Sequence, residues 1–247
     1  LGGTQNIFIG NDAGGGTWTT AASNSNVAIG ATAMSAALNG ALGNTAIGHD
    51  GLKAVTTGDY NTTLGRGAGT SITTTSYTVA IGNYSLSAIT STGDYTISIG
   101  HGAMGGAEIG DGNIAIGYQS MANANAAGLH RNIAIGYQAL NDINANAIGN
   151  VAIGSYSGDA ITSGDYNVSI GENALASATS GGSNIAIGRL SGANNTSANS
   201  NMYIGYAAGY SNQTGTGNTI IGNSSYAQSA VAGLNISNVT TLGHEAG

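Results

Sequence analysis

The 247-residue chain has no cysteine and no proline, and only 6% of its residues are charged. Without cysteine there is no disulfide staple and no thiolate for catalysis or metal binding, an absence compatible with the outside of a cell or a virion. Lys53, Arg66, Arg131 and Arg189 are the whole basic complement. Four scattered cations cannot neutralise a phosphate backbone, which argues against nucleic-acid binding. The net charge of −7 helps solubility. No apolar run approaches the about 20 residues that span a bilayer as a helix, so membrane insertion is not expected. Glycine, by contrast, makes up 43 residues. Enriched without proline or a three-residue period, it argues against collagen and against a disordered linker, and fits short strands joined by many turns.

Fourteen times an aliphatic residue is followed by glycine in the setting N-x-[AS]-[IL]-G-x-x-[AS], with the glycines 17 to 21 residues apart from Gly10 to Gly243. A fixed period of this length means one supersecondary unit stacked on copies of itself. The residue before the glycine is Ile or Leu in every copy, and the residue two before that is β-branched in all but Met202. Residues two apart share one side of a strand, so each repeat is expected to carry one short strand with two side chains facing a core. The residue between them, mostly Ala or Ser, is expected to point the other way. Asn stands four before the glycine in eleven copies, from Asn6 to Asn218, where it suits a sharp turn and can form an amide ladder between rungs. The glycine itself reads as a turn needing positive φ or close backbone approach. Three residues on, a column of Ala, Ser or Gly51 marks tight packing, and Leu, Met or Gly follows in all but Tyr226. Extra residues fall only between the small column and the Asn column. Ile109-Gly110 and Ile148-Gly149 lack the flanking columns and are not repeats.

The period runs from end to end without a linker, which predicts one elongated domain over 1–247, a segment of a longer chain. The fold class is all-β, a repetitive β-solenoid. Two core-facing aliphatics and an occasional Leu or Met make a thin core against an ordering cost of about 1–2 kcal/mol per residue. A closed symmetric oligomer that buries the Ala/Ser face is the expected solution. The hexapeptide helix of acyltransferases has a similar period, but six residues beyond the core Ile stand Gly15, Ser35, Lys53, Thr70, Ser87 and Gly105, none aliphatic.

The strings NVAIGATAM (26–34), NIAIGYQSM (113–121), NIAIGYQAL (132–140), NVSIGENAL (167–175) and NIAIGRLSG (184–192) resemble the head repeats of trimeric autotransporter adhesins and, still more, related repeats of phage tail fibres. The GDYN spacer at Gly58–Asn61 and Gly164–Asn167, with GDYT at Gly93–Thr96, strengthens the tail-fibre side. The resemblance covers the whole chain, though the adhesin heads use shorter repeats. It implies a left-handed parallel β-roll in a parallel homotrimer, an extracellular fibre of a virion or bacterial surface that meets a cell-surface glycan or protein receptor.

Among residues with chemistry, Asp59, Asp94, Asp111 and Asp165 all stand two before the Asn column and recur in phase, as turn residues do; calcium binding and carboxylate-pair catalysis fit that spacing less well. His49, His101 and His244 share the column after the glycine, which a metal would need three chains to exploit and which reads better as solvent-facing. No Ser, His and Asp arrangement has a strained nucleophile motif beside it. No catalytic residue, metal ligand or cofactor is expected. Candidate recognition residues are tyrosines: Tyr118, Tyr137 and Tyr206 in the column after the glycine, Tyr84 and Tyr156 one place later, with Tyr60, Tyr77, Tyr95 and Tyr166 just before the Asn column. Such rings can stack on sugars or simply cover loop edges. Trp18 reads as local packing. The expected function is a non-enzymatic structural or adhesive fibre segment, with a purely structural filament, an ice-binding solenoid or an acyltransferase as alternatives. The ice-binding case needs a flat Thr row, and Thr45, Thr62, Thr219 and Thr240 are expected to lie in a core-facing column with Ile and Val.

Overall fold

The computed structural model describes residues 3–16, 21–88, 93–106, 108–126, 128–226 and 235–246, so Trp18 lies outside the described residues. These residues form strands and turns without a helix. Chain contacts divide them into two units, Leu1–Ala127 and Gly128–Gly247. The first holds β1 (Ile7–Ile9), β2 (Val27–Ile29), β3 (Thr45–Ile47), β4 (Thr62–Leu64), β5 (Val79–Ile81), β6 (Ile97–Ile99) and β8 (Ile114–Ile116), paired in that order as a parallel ladder. A side pair joins β7 (Glu108–Ile109) to β9 (Asn125–Ala126). The second unit stacks β10 (Ile133–Ile135), β11 (Val151–Ile153), β12 (Val168–Ile170), β13 (Ile185–Ile187), β14 (Met202–Ile204), β15 (Thr219–Ile221) and β16 (Thr240–Leu242) in chain order. Each repeat contributes one rung of a parallel β-solenoid, and equivalent columns oppose each other, as Ala134 does Ala152. The two off-register Ile-Gly steps stay outside the main ladder, although Ile109 lies in β7 and Ile148 bridges to His130.

The asparagine column forms the expected ladder. Asn167 donates through Nδ2 to Asn150 Oδ1 at 3.1 Å and to the Gly181 carbonyl at 2.8 Å. Its own Oδ1 accepts from the Asn184 main-chain N–H and Nδ2, both at 3.0 Å. The same pattern links Asn132 to Asn150 and continues through Asn201 to Asn218. In the first unit it links Asn6, Asn26, Asn44 and Asn61. Both amide hydrogens and both acceptor sites of each inner member are used, which is what a buried amide requires. Where Thr replaces Asn, Thr78 keeps the main-chain link to Asn61 Oδ1 and Thr96 caps the Gly93 carbonyl with its hydroxyl.

The glycine before the turn is obligatory for the reason the repeat suggests. Gly10 has φ +133°, and a Cβ there would stand 2.6 Å from the Gly30 carbonyl oxygen. Rung-to-rung approach of the backbone excludes any side chain.

One expectation is reversed. In twelve of the fourteen ladder strands the middle residue is buried, while the aliphatics on either side of it are not. The Ala/Ser face is the inside of the solenoid, and the Ile/Val columns point outward, with Thr45, Thr62, Thr219 and Thr240 among them. The reason is the sharpness of the turn. Within three residues of the glycine the chain folds back over the strand, so that Ser85 Oγ meets Ser98 Oγ at 2.7 Å and Ser157 Oγ donates to the Ser169 carbonyl at 2.7 Å. Only small residues fit between those walls. Leu and Met of the next column close the interior from the far side, adopting positive φ at Met34, Leu52, Leu140 and Leu175. Where the strand inserts a large ring the opposite wall retreats. Phe8 lies against Gly14, and Tyr203 against Gly192 and Gly209. Burial then recurs every third residue along the return path, at Val55, Gly58 and Asn61 or at Ile161, Gly164 and Asn167. Counted from the outward Ile, a six-residue step meets unburied positions such as Gly15, Lys53 and Thr70, whereas from the inward residue it meets the buried Leu and Met column, as from Ala46 to Leu52 and from Ala134 to Leu140.

Candidate functional site

Because the strand aliphatics face outward, each unit presents a ladder two residues wide, seven rungs long and free of charge. At the chain's first strand, Ile7 and Ile9 are 52% and 57% exposed, and Leu64 within the ladder is 48% exposed. Monomers seldom leave apolar patches beyond about 300–600 Å², and larger ones mark association sites. Threonine breaks the ladder only in adjacent pairs, so no continuous Thr row appears there.

On the side that follows the strand lie the tyrosines singled out from the sequence. Tyr84, Tyr118, Tyr137, Tyr156 and Tyr206 are all exposed, at 37–44%. Their rings are engaged by neighbours. The Arg66 guanidinium lies 5.4 Å from the Tyr84 centroid and Arg189 lies 5.8 Å from that of Tyr206, cation–π pairs on adjacent rungs. His101 stacks on Tyr118 at 5.5 Å, and Tyr137 meets Tyr156 edge-on at 5.2 Å, a contact whose hydrogen bond raises the Tyr137 hydroxyl above its ordinary range. Arg189 also pairs with Glu172 at 3.1 Å.

On the side that precedes the strand, Tyr60, Tyr77 and Tyr95 form a row of stacked rings, with centroids 5.4 Å and 5.1 Å apart. The aspartates beside them brace the turns. Asp59 accepts from the Leu42 N–H, Asp94 from that of Ser76 and Asp165 from that of Ile148, each at 2.8 Å, and Asp111 accepts from the Asp94 N–H at 3.1 Å. The turn reading of this column therefore has a bond behind it.

The histidines of the other column do not converge. His49 pairs with Asp50 at 2.7 Å, while His244 Nδ1 lies 3.0 Å from the Asn223 carbonyl. A hydrogen bond from the Thr32 hydroxyl, with Lys53 adding its own, holds the Asp50 carboxyl below the usual range. Among the described residues no three His, Asp or Glu side chains group around a common point. Burial pushes the Tyr203 hydroxyl up to about 12, against the opposing bond from Asn212 at 2.7 Å.

Nothing in the repeat pattern singles out Asp159. Its Oδ1 is buried without a hydrogen bond, and its N-terminal neighbour rung places Asp142 beside it. Burial, reinforced by the Asp142 charge, pushes its carboxyl up to about 6. A raised acid binds its proton more tightly folded than unfolded, so stability should fall as pH rises from about 4 through 6 and level off above. Thermal midpoints across that range should show this fall in the native chain and lose it in Asp159→Asn; parallel profiles would exclude it. Comparison with protein-family models, curated proteins and solved structures finds no match to this chain.

Proposed function

We propose that the chain is a non-enzymatic structural and adhesive segment of an extracellular fibre, in which parallel copies associate through the outward Ile/Val ladder, three to a fibre. The observation that carries this is the ladder itself. It is uncharged and aliphatic apart from one pair of adjacent threonines in each unit, and it repeats at the strand spacing of about 4.8 Å. Side chains set at that interval interdigitate best with an array of the same interval, and a second copy of this chain offers one. Rotation about an axis along the ladder brings equivalent rungs of each copy to one level and closes the assembly. Three copies, the left-handed roll and placement on a phage tail fibre or a bacterial adhesin rest on the resemblance of the N-x-A-I-G repeats.

Such a segment holds a tip away from a base, and its outer columns are available to touch a cell surface. Light scattering at micromolar concentration is the direct test. A mass three times the 24.0 kDa of one chain is the expected result. A monodisperse 24.0 kDa species would overturn the reading.

A further inference from the structure

The geometry points to a binding site for neutral sugars on the outer ring faces of Tyr95 and Tyr166. The column just before the asparagines has left-handed backbone, with φ +55° at Tyr60, +59° at Tyr77, +60° at Tyr95 and +56° at Tyr166. Such a conformation favours Gly or Asn and penalises a bulky side chain. Other rungs fill the column with Gly43, Gly112, Gly149, Gly217, Ser183 or Ser200 and keep the same turn. The solenoid therefore does not need an aromatic there, and the rings stand 49–64% exposed despite the strain.

The rings lean towards the preceding rung. A Cβ built on Gly43 would meet the Tyr60 ring at 2.8 Å, and one on Gly149 would meet the Tyr166 ring at 2.8 Å. Tyr77 covers Tyr60 and Tyr95 covers Tyr77. Each run then ends on a ring whose outer face looks towards a rung with little or no side chain. Beyond Tyr95 comes Gly112, whose N–H donates to the Asp94 carbonyl, and beyond Tyr166 comes Ser183, whose N–H donates to that of Asp165. These two rings are the most exposed tyrosines of the chain, at 64% and 62%.

An open aromatic face set on a rigid rung accepts the C–H face of a pyranose, and the tyrosine hydroxyl adds a polar edge. The charges beside it choose among sugars. Asp94 and Asp111 flank Tyr95 and Asp165 flanks Tyr166, while Arg131, the cation of this column, stands two rungs before Tyr166 on the side away from its outer face. Sialylated or sulphated sugars meet like charge there, whereas the hydroxyls of neutral hexoses and N-acetylhexosamines meet acceptors. Each site alone is weak, and repetition along and among copies supplies avidity. This specificity adds to the fibre reading, but the rings are not part of the aliphatic ladder, so the site does not depend on association.

The test is binding of the full chain to immobilised neutral, sialylated and sulphated oligosaccharides, with mass measured on the same preparation. Tyr95→Ser and Tyr166→Ser introduce a residue that the column already holds and so should leave the fold intact. The native chain should retain neutral sugars and ignore the anionic ones. Each substitution should weaken retention roughly fivefold to tenfold, the double variant should abolish it, and Tyr118→Ser should leave it unchanged. Absence of neutral-sugar binding, preference for anionic sugars, or unchanged binding in the double variant would overturn the assignment. A monomeric mass with neutral-sugar binding intact would overturn the fibre reading alone.

Discussion

Ile185→Asp is expected to convert the associated protein to single chains of 24.0 kDa in sedimentation or light scattering. Ile185 begins β13, opposite Val168 in β12 and Met202 in β14, and its side chain points away from the interior of its own solenoid. In an isolated chain an aspartate at this position would remain in water and cost little. Between copies it would carry a carboxylate into an apolar interface, where an unpaired charge costs several kcal/mol, and every copy would bring one. The separated chains should keep their β-structure by circular dichroism; its loss would mean instead that the substitution unfolds the rung between Val168 and Met202. Retention of the native mass would show that copies do not meet through this ladder. Ala186→Asp, one residue on, is the contrasting control. That side chain points into the solenoid and should prevent folding whether or not chains associate.

Asn167→Leu should destabilise the chain by roughly 3–5 kcal/mol, read as an earlier midpoint in denaturant. The amide makes two donated bonds, to Asn150 and the Gly181 carbonyl, and accepts two from Asn184, all buried. Leucine is close in size but abandons all four partners at once, and buried groups left without partners cost more than the bonds themselves contribute. Asn167→Thr should cost less, because Thr78 and Thr96 already occupy this column in two rungs, where Thr78 keeps its main-chain link to Asn61 Oδ1 and the Thr96 hydroxyl donates to the Gly93 carbonyl of its own turn. Equal midpoints for native and leucine variants would mean that the ladder is incidental to stability.

The parts of this fold that were legible in the sequence are those whose cause is local. Glycine at a backbone that approaches its neighbour rung within touching distance, asparagine at a turn where one amide makes four hydrogen bonds, and the small column after the glycine each restrict a fixed place to one or a few residue types. Strand alternation was equally plain, with Ile114 and Ile116 on one side and Ala115 on the other. Which side is inside was not local. Hydrophobicity favours placing Ile and Val within, and the opposite holds because the chain doubles back so tightly that Ala or Ser fills most rungs, with Thr63, Tyr203 and Ile220 as the larger buried exceptions. The tyrosines show the same division. Their columns could be counted in the sequence, yet the coverage of Tyr84 by Arg66 and of Tyr60 by Tyr77, against the open face of Tyr95, depends on how side chains lean between rungs.

The sequence by itself determined the period, the strand positions, the turn chemistry and the amide ladder, because each is set by conformational and hydrogen-bonding demands within one rung and its immediate copy. The tertiary structure decided the direction of the two faces and thereby turned a supposed core into an outer surface. That decision rests on the distance between walls, a property of the closed rung as a whole.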